Sequence, residues 1–144
     1  MAKKFVTNRS TLIFYAILSM IVVPYGIVNL YNVFSGAADA TYGFKSLVAP
    51  VLPILMYSSY RNGLLTVEAE GVKVAKRYYP YDDFSFALSS KTLSLTQRPL
   101  TSIWKASYPV MVIVSKTGTE NEAVDLEMSR SDIERLRASL ASRS

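Results

Sequence analysis

Two hydrophobic patterns divide this chain. From Thr11 to Phe34 (TLIFYAILSMIVVPYGIVNLYNVF), and again over the shorter run from Ser46 to Tyr60 (SLVAPVLPILMYSSY), no charged residue interrupts the apolar positions. After Arg61 the apolar residues come singly, alternating with polar ones and broken by turn-forming residues. The first pattern predicts long apolar helices and the second predicts short strands.

At 1.5 Å per residue the first run is about 36 Å long as a helix, enough to cross a bilayer's hydrocarbon core. A buried core helix with no charge over this length would need a larger protein around it. Pro24 cannot donate to the carbonyl of Met20, which predicts a kink, and Tyr25 and Asn29 follow on the polar half of the run. Pro24, Tyr25 and Asn29 are therefore candidates for contact with a neighbouring helix, with Asn32 near the membrane interface. The second segment, 44–60, carries Pro50 and Pro53 and just spans if Lys45 snorkels and the bilayer thins; otherwise it is re-entrant or lies in the interface. The small, polar connection Ser35–Tyr42 closes the two into a helical hairpin. The expected organisation is a basic tail over 1–10, a transmembrane hairpin over 11–60 and a domain over 61–144.

In that domain, Leu65, Val67 and Ala69 alternate with Thr66, Glu68 and Glu70, and after Glu70-Gly71 the alternation resumes through Val72 and Val74. This predicts a hairpin. The stretch Tyr78–Asp83 interrupts it. Phe84, Phe86 and Leu88 mark a third strand, Leu93 and Leu95 a fourth ended by Arg98-Pro99, and Ile103-Trp104 a short fifth. The β-branched run Val110–Ser115 is expected to be central and buried on both faces. Past the turn cluster Lys116–Asn121, the residues Ala123, Val124 and Leu126 give a seventh strand. From Ser129 the period becomes helical: Ser131-Asp132-Ile133-Glu134 reads as a capping box, and Ile133, Leu136 and Leu140 form one stripe of a helix over 130–141. Covering a barrel end or sheet is the expected use of that stripe; lying on a membrane is the alternative, which its mixed-charge polar face disfavours.

Charge adds topology. The net +5 is concentrated around the apolar runs, where Lys3, Lys4, Arg9, Lys45 and Arg61 face Asp39 alone, while the remainder is close to balanced. A polynucleotide binder would place its bases on the folded domain, so nucleic acid is not an expected partner. The flanking bases instead predict that both termini are cytoplasmic. A signal peptide cleaved at Ala38-Asp39-Ala40 is disfavoured because the apolar run is longer than a secretory core. The sequon Asn8-Arg9-Ser10 would then sit on the cytosolic side.

Composition removes much chemistry. With no Cys and no His there is no thiolate, disulfide, imidazole base or Cys/His metal site. Ser102-Ile103-Trp104-Lys105 matches S-x-x-K without the partner motifs, and adjacent Asp82 and Asp83 would point to opposite strand faces. No phosphate-binding or calcium loop is present, so no cofactor, metal, small-molecule substrate or enzymatic activity is expected. Of the ten tyrosines, six lie within or beside the apolar runs as an interface belt. Tyr78, Tyr79 and Tyr81, with Trp104, are candidates for partner binding or for packing inside the fold. Lys73, Lys76 and Arg77 are candidates for contact with anionic lipid.

The stretch LLTVEAEGVKVAKRYYPYDDFSFAL (Leu64–Leu88) and the ending VDLEMSRSDIERLRASL (Val124–Leu140) resemble small bacterial membrane proteins that carry a two-helix hairpin ahead of a pleckstrin-homology-like (PH-like) domain. The resemblance implies about seven antiparallel strands plus a C-terminal amphipathic helix, placed beside the bacterial inner membrane. It also implies a non-enzymatic accessory or scaffold subunit whose partners are the bilayer and other membrane proteins, or itself as an oligomer. Two other readings are an oligomeric transport or pore component, disfavoured by the lack of a deep ionisable residue, and an anionic-lipid-binding module.

Overall fold

The structure, a computed structural model, describes residues 1–98, 103–118 and 121–143. Pro99, Ser102 of the S-x-x-K match, and Thr119 and Glu120 of the turn cluster lie outside the described residues. The chain divides into two compact units, one made of Met1–Ser10 with Tyr60–Ser144 and the other of Thr11–Ser59.

Among the described residues the first unit holds seven strands in two antiparallel sheets and a C-terminal helix. One sheet has the order β1 (Lys3–Val6), β2 (Leu64–Val67), β3 (Gly71–Val74), β4 (Arg77–Pro80), and the other β5 (Phe84–Thr92), β6 (Ser107–Ser115), β7 (Asn121–Asp125). The second unit is helical, formed from α1 (Arg9–Phe34), α2 (Thr41–Ser46) and α3 (Val48–Asn62), whose outermost residues reach into the first; α4 (Arg130–Ala141) closes the chain.

Seven strands form, but not the seven that alternation marks. Residues 1–10 are not a tail: β1 pairs antiparallel with β2, from Lys3 opposite Val67 to Val6 opposite Leu64. The sheet thus recruits a strand from before the apolar runs, with residues 7–63 lying between partners. The aromatic stretch read as an interruption supplies β4, paired with β3 from Gly71 opposite Pro80 to Val74 opposite Arg77. The expected fourth strand is instead the end of β5 followed by a 3₁₀ turn at Leu95–Gln97, and Ile103-Trp104 lies in a turn. β6 starts at Ser107 and runs through Pro109, opposite Ser90 of β5. Proline is tolerated there because the β7 ladder ends at the Val110–Asp125 pair.

The core is continuous across both sheets and α4, built from Phe5, Leu65, Val67, Val72, Tyr79, Met111, Ile113, Leu126, Met128, Leu136 and Leu140. β6 is central, and the adjacent Val110 and Met111 are both buried, so both of its faces are covered at that point. Leu136 and Leu140 take the α4 stripe into this core, which leaves that stripe nothing to offer a membrane. The helix begins at Ser129, whose hydroxyl accepts from the Asp132 N–H at 3.3 Å, two residues before the capping box read from sequence.

In the helical unit, α1 runs unbroken through Pro24. The second apolar segment is not one helix, and the break has a cause. Pro50 cannot donate to the carbonyl of Ser46 and its ring crowds that carbonyl, so α2 ends at Ser46 and α3 starts at Val48. The Leu47 N–H tightens instead onto Phe44 O at 3.2 Å, and the Ser46 hydroxyl turns back to donate to Tyr42 O at 3.0 Å.

Candidate functional site

Three features could carry function: the bases of the β3–β4 hairpin, the aromatic step that follows them, and the seam of the helical hairpin. The strand register separates the bases. Lys73 lies opposite Tyr78, whereas Arg77 lies opposite Val74, so Lys73 and Arg77 point to opposite faces of the sheet. Lys76 is exposed in the turn between them. Arg77 is committed within the fold, where it forms an ion pair with Glu122 and stacks over the Tyr79 ring at 5.6 Å. The three bases do not converge on one lipid headgroup.

The aromatic step is likewise used internally. Tyr79 is a core residue, set edge-on to Phe84 with ring centroids 5.2 Å apart, and its hydroxyl donates to Glu122. Burial, then the bond to the Glu122 carboxylate and its charge, raises the Tyr79 pKa above its ordinary value. Tyr81 stands edge-on to Phe86 at 5.7 Å, and burial raises its pKa. Tyr78 is half exposed and lies over Gly71, where any Cβ would run into its ring and into the Tyr79 carbonyl. Desolvation by its surroundings, followed by the charges of Glu68 and Glu70, raises its pKa. Trp104 alone among these aromatics stands clear of the fold, 74% exposed.

Sequence reasoning missed Glu122. In β7 it pairs with Ile113, while Val124 pairs with Met111, so Glu122 occupies the row that faces the core. From there its carboxylate reaches Arg77 and Tyr79 of β4 and ties one sheet to the other. The signal is present in the period of two: Glu122, Val124 and Leu126 share a face, and a carboxylate on an apolar face requires a partner.

Glu127 was missed too. Its backbone N–H donates to Thr7 O (2.6 Å), its carbonyl accepts from the Arg9 N–H (3.1 Å), and its carboxylate accepts from the Ser10 hydroxyl (2.6 Å). A carboxylate at the start of α1 is where the helix dipole favours one. Beside it, the Thr7 N–H and hydroxyl both donate to Gly63 O, each at 2.8 Å. The sheet therefore holds the start of α1 and the end of α3 side by side.

The helical seam differs from the sequence expectation. Pro24 and Tyr25 are exposed, Tyr25 by 55%, so neither forms the helix contact. Gly26 and Asn29 form it. A Cβ on Gly26 would collide with the Ala49 methyl and come within 3.3 Å of Ser46 O, so only glycine admits this approach. Asn29 is 6% exposed, and its Nδ2 has no hydrogen-bond partner among the described residues. Pairs of small or polar residues one turn apart, Gly26 with Asn29 and Ser46 with Ala49, were the available signal.

Outside the seam the hairpin is apolar: Ile13, Phe14, Ile17, Met20, Ile21 and Phe34 on α1 are half or more exposed, as are Leu47, Val48 and Ile54 in the second segment. Among the described residues only α1 is long and apolar enough to cross a membrane. No cluster of three or more acidic, His or Cys groups able to hold a metal is found among them. Comparison with family models, curated proteins and solved structures gives no match.

Proposed function

We propose that this is a non-enzymatic membrane protein in which a helical hairpin anchors a PH-like module that serves as an accessory or scaffold subunit of a larger membrane assembly. The observation that carries the reading is the insertion of an outwardly apolar helical segment between two strands that pair directly. Val6 lies opposite Leu64, so the segment leaves and returns at one place on the sheet. If α1 crosses a bilayer, the chain must cross back before Gly63. From Thr41 to Asn62 the second segment is about 33 Å long at helical rise, enough for that return. The broken helix therefore supports a two-crossing hairpin although neither of its parts spans alone. The bases at its ends, Arg9 and Arg61 with Lys3 and Lys4 nearby, favour placing the β unit in the cytoplasm.

The PH-like assignment is supported by four-stranded and three-stranded antiparallel sheets closed by a C-terminal helix. A binding or scaffold role fits the aromatic step, whose nearest charged groups, Arg77 and Glu122, are tied to each other and to the Tyr79 hydroxyl. The absence of cysteine makes topology directly testable by single-cysteine labelling with an impermeant maleimide. Ala38→Cys, in the turn, is expected to react only from the membrane side opposite to Gly118→Cys; labelling of both from one side overturns the hairpin. For the scaffold role, affinity purification from native membranes in gentle detergent is expected to return other membrane proteins in fixed stoichiometry. Recovery of the protein alone overturns it.

A further inference from the structure

Resting on the membrane anchoring proposed above, we infer that Leu95, Ile103 and Trp104, on the described limbs of the connection between β5 and β6, form a second, peripheral lipid contact among the headgroups of an anionic bilayer. In this connection Leu95 is 67% exposed, Ile103 40% and Trp104 74%, while the unit's strands and α4 take Leu65, Met111, Ile113 and Leu136 into the core. The loop has an internal frame: the Arg98 guanidinium donates to Leu93 O at 3.1 Å and to Ile103 O at 3.2 Å, tying its two described limbs together. That frame satisfies carbonyls and leaves the apolar side chains outside.

Along the sequence on either side of them the charge has one sign. From Phe84 to Gly118 the sequence contains Lys91, Arg98, Lys105 and Lys116 and not one acid. Lys91 pairs at 2.5 Å with Asp125 of the neighbouring β7, so the bases on the connection itself are Arg98 and Lys105. Exposed Trp, Ile and Leu beside bases without acids are the chemistry of a lipid headgroup layer, where an indole partitions and phosphates are negative. This surface is separate from Lys73, Lys76 and Arg77, which the strand register disperses.

Trp104 is the only tryptophan in the chain, so its fluorescence reports on this loop alone. The full chain is reconstituted into vesicles of phosphatidylcholine, with or without phosphatidylglycerol, and with or without brominated acyl chains. The expected result is blue-shifted emission quenched by the brominated lipid and protected from aqueous iodide, more so with phosphatidylglycerol. Lys105→Glu, with far-UV circular dichroism unchanged, should reduce both the shift and the protection. Emission that iodide quenches and bromine does not, in either lipid, overturns the inference; so does protection from both, which indicates contact with a second copy. Flotation of the same samples separates the two readings: protein that floats with water-exposed Trp104 defeats the loop contact alone, and protein that does not float defeats the anchoring as well.

Discussion

The two units of this chain bury opposite things. The β unit encloses Leu65, Val72, Met111, Ile113, Leu126 and Leu136. The helical unit encloses Gly26, Asn29, Ser46, Ala49 and Leu52, while Ile17, Met20, Ile21, Ile27 and Val28 face outward. In water, area removed from solvent is worth about 25 cal/mol per Å² and drives large side chains inward. Lipid gives no such drive between helices, so close backbone approach and polar contact decide what meets there. The inversion is what a chain folded against two solvents would show, and it adds to the support that the strand-to-strand insertion gives the anchoring proposal.

The comparison is broken most severely by equal truncations. Leu136→Ala, at a position with 0% exposure, should destabilise the β unit by about 2–5 kcal/mol, read as a lower denaturation midpoint and earlier proteolysis of that unit. Ile21→Ala, at 66% exposure, should leave folding in detergent within about 0.5 kcal/mol of the parent. A comparable loss from both would mean that the outer face of α1 is covered by protein. At the seam the logic reverses, because adding a group does the damage. Gly26→Leu forces α1 off Ala49 and should cost about 1–3 kcal/mol, whereas Gly43→Leu, with open space at its Cβ, should be neutral. The denaturation midpoints of the two variants in detergent, read beside the parent, check the contrast.

The sequence made the composition boundary legible, together with the apolar runs, the helical stripe of α4 and the central position of β6, because each is a local period. It hid what depends on distant pairing. Nothing local in Lys3–Val6 says strand; those residues become one because β2 offers an edge after the hairpin returns. Arg77–Pro80 lacks alternation because its partners lie on different sides: Tyr79 enters the core, Tyr78 covers Gly71, and Arg77 turns to Glu122. Of the three residues whose chemistry points to a helix contact, Pro24, Tyr25 and Asn29, only Asn29 lies in the seam, and the residue that sets the approach, Gly26, is the one with no side chain.

Glu122 tests whether the β unit depends on a polar tie as well as on burial. Glu122→Ala leaves the Tyr79 hydroxyl without its acceptor and Arg77 without its counter-ion, at a cost of about 1–3 kcal/mol; Tyr79→Phe should cost about 1 kcal/mol, since Arg77 keeps its partner. The pH dependence has a definite sign. Tyr79 holds its proton more tightly folded than unfolded, so its contribution is complete below the ordinary tyrosine pKa of 10.0 and is lost as pH rises through the elevated folded value. Tyr78 and Tyr81 are shifted the same way, so Tyr79→Phe should make the alkaline loss shallower without abolishing it. An unchanged alkaline limb would mean that neither burial nor Glu122 raises the Tyr79 pKa.

The smallest effect compares the two units at a single backbone demand. Turn residues at positive φ occur in both: the helical unit has Gly36 at +75°, two residues beyond α1, and the β unit has Gly118 at +89° after β6 and Ala75 at +53° between β3 and β4. For an L-residue with a Cβ this region costs roughly 1–2 kcal/mol, while glycine gives back about 0.5–1 kcal/mol through the freedom of the unfolded chain. Ala75→Gly should therefore stabilise the β unit by about 0.5 kcal/mol, keeping the Ala75 N–H bond to Leu64 O, and Ala75→Val should destabilise it by more than that. Gly36→Ala should lose what Ala75→Gly gains, although nothing lies within 4 Å of its added Cβ. Chemical denaturation of the three variants beside the parent checks the sign of each. If Ala75→Gly destabilises, the turn is held by its surroundings strongly enough that flexibility, not strain, decides the position, and Ala75 would then differ from Gly118, the positive-φ position that the same unit fills with glycine.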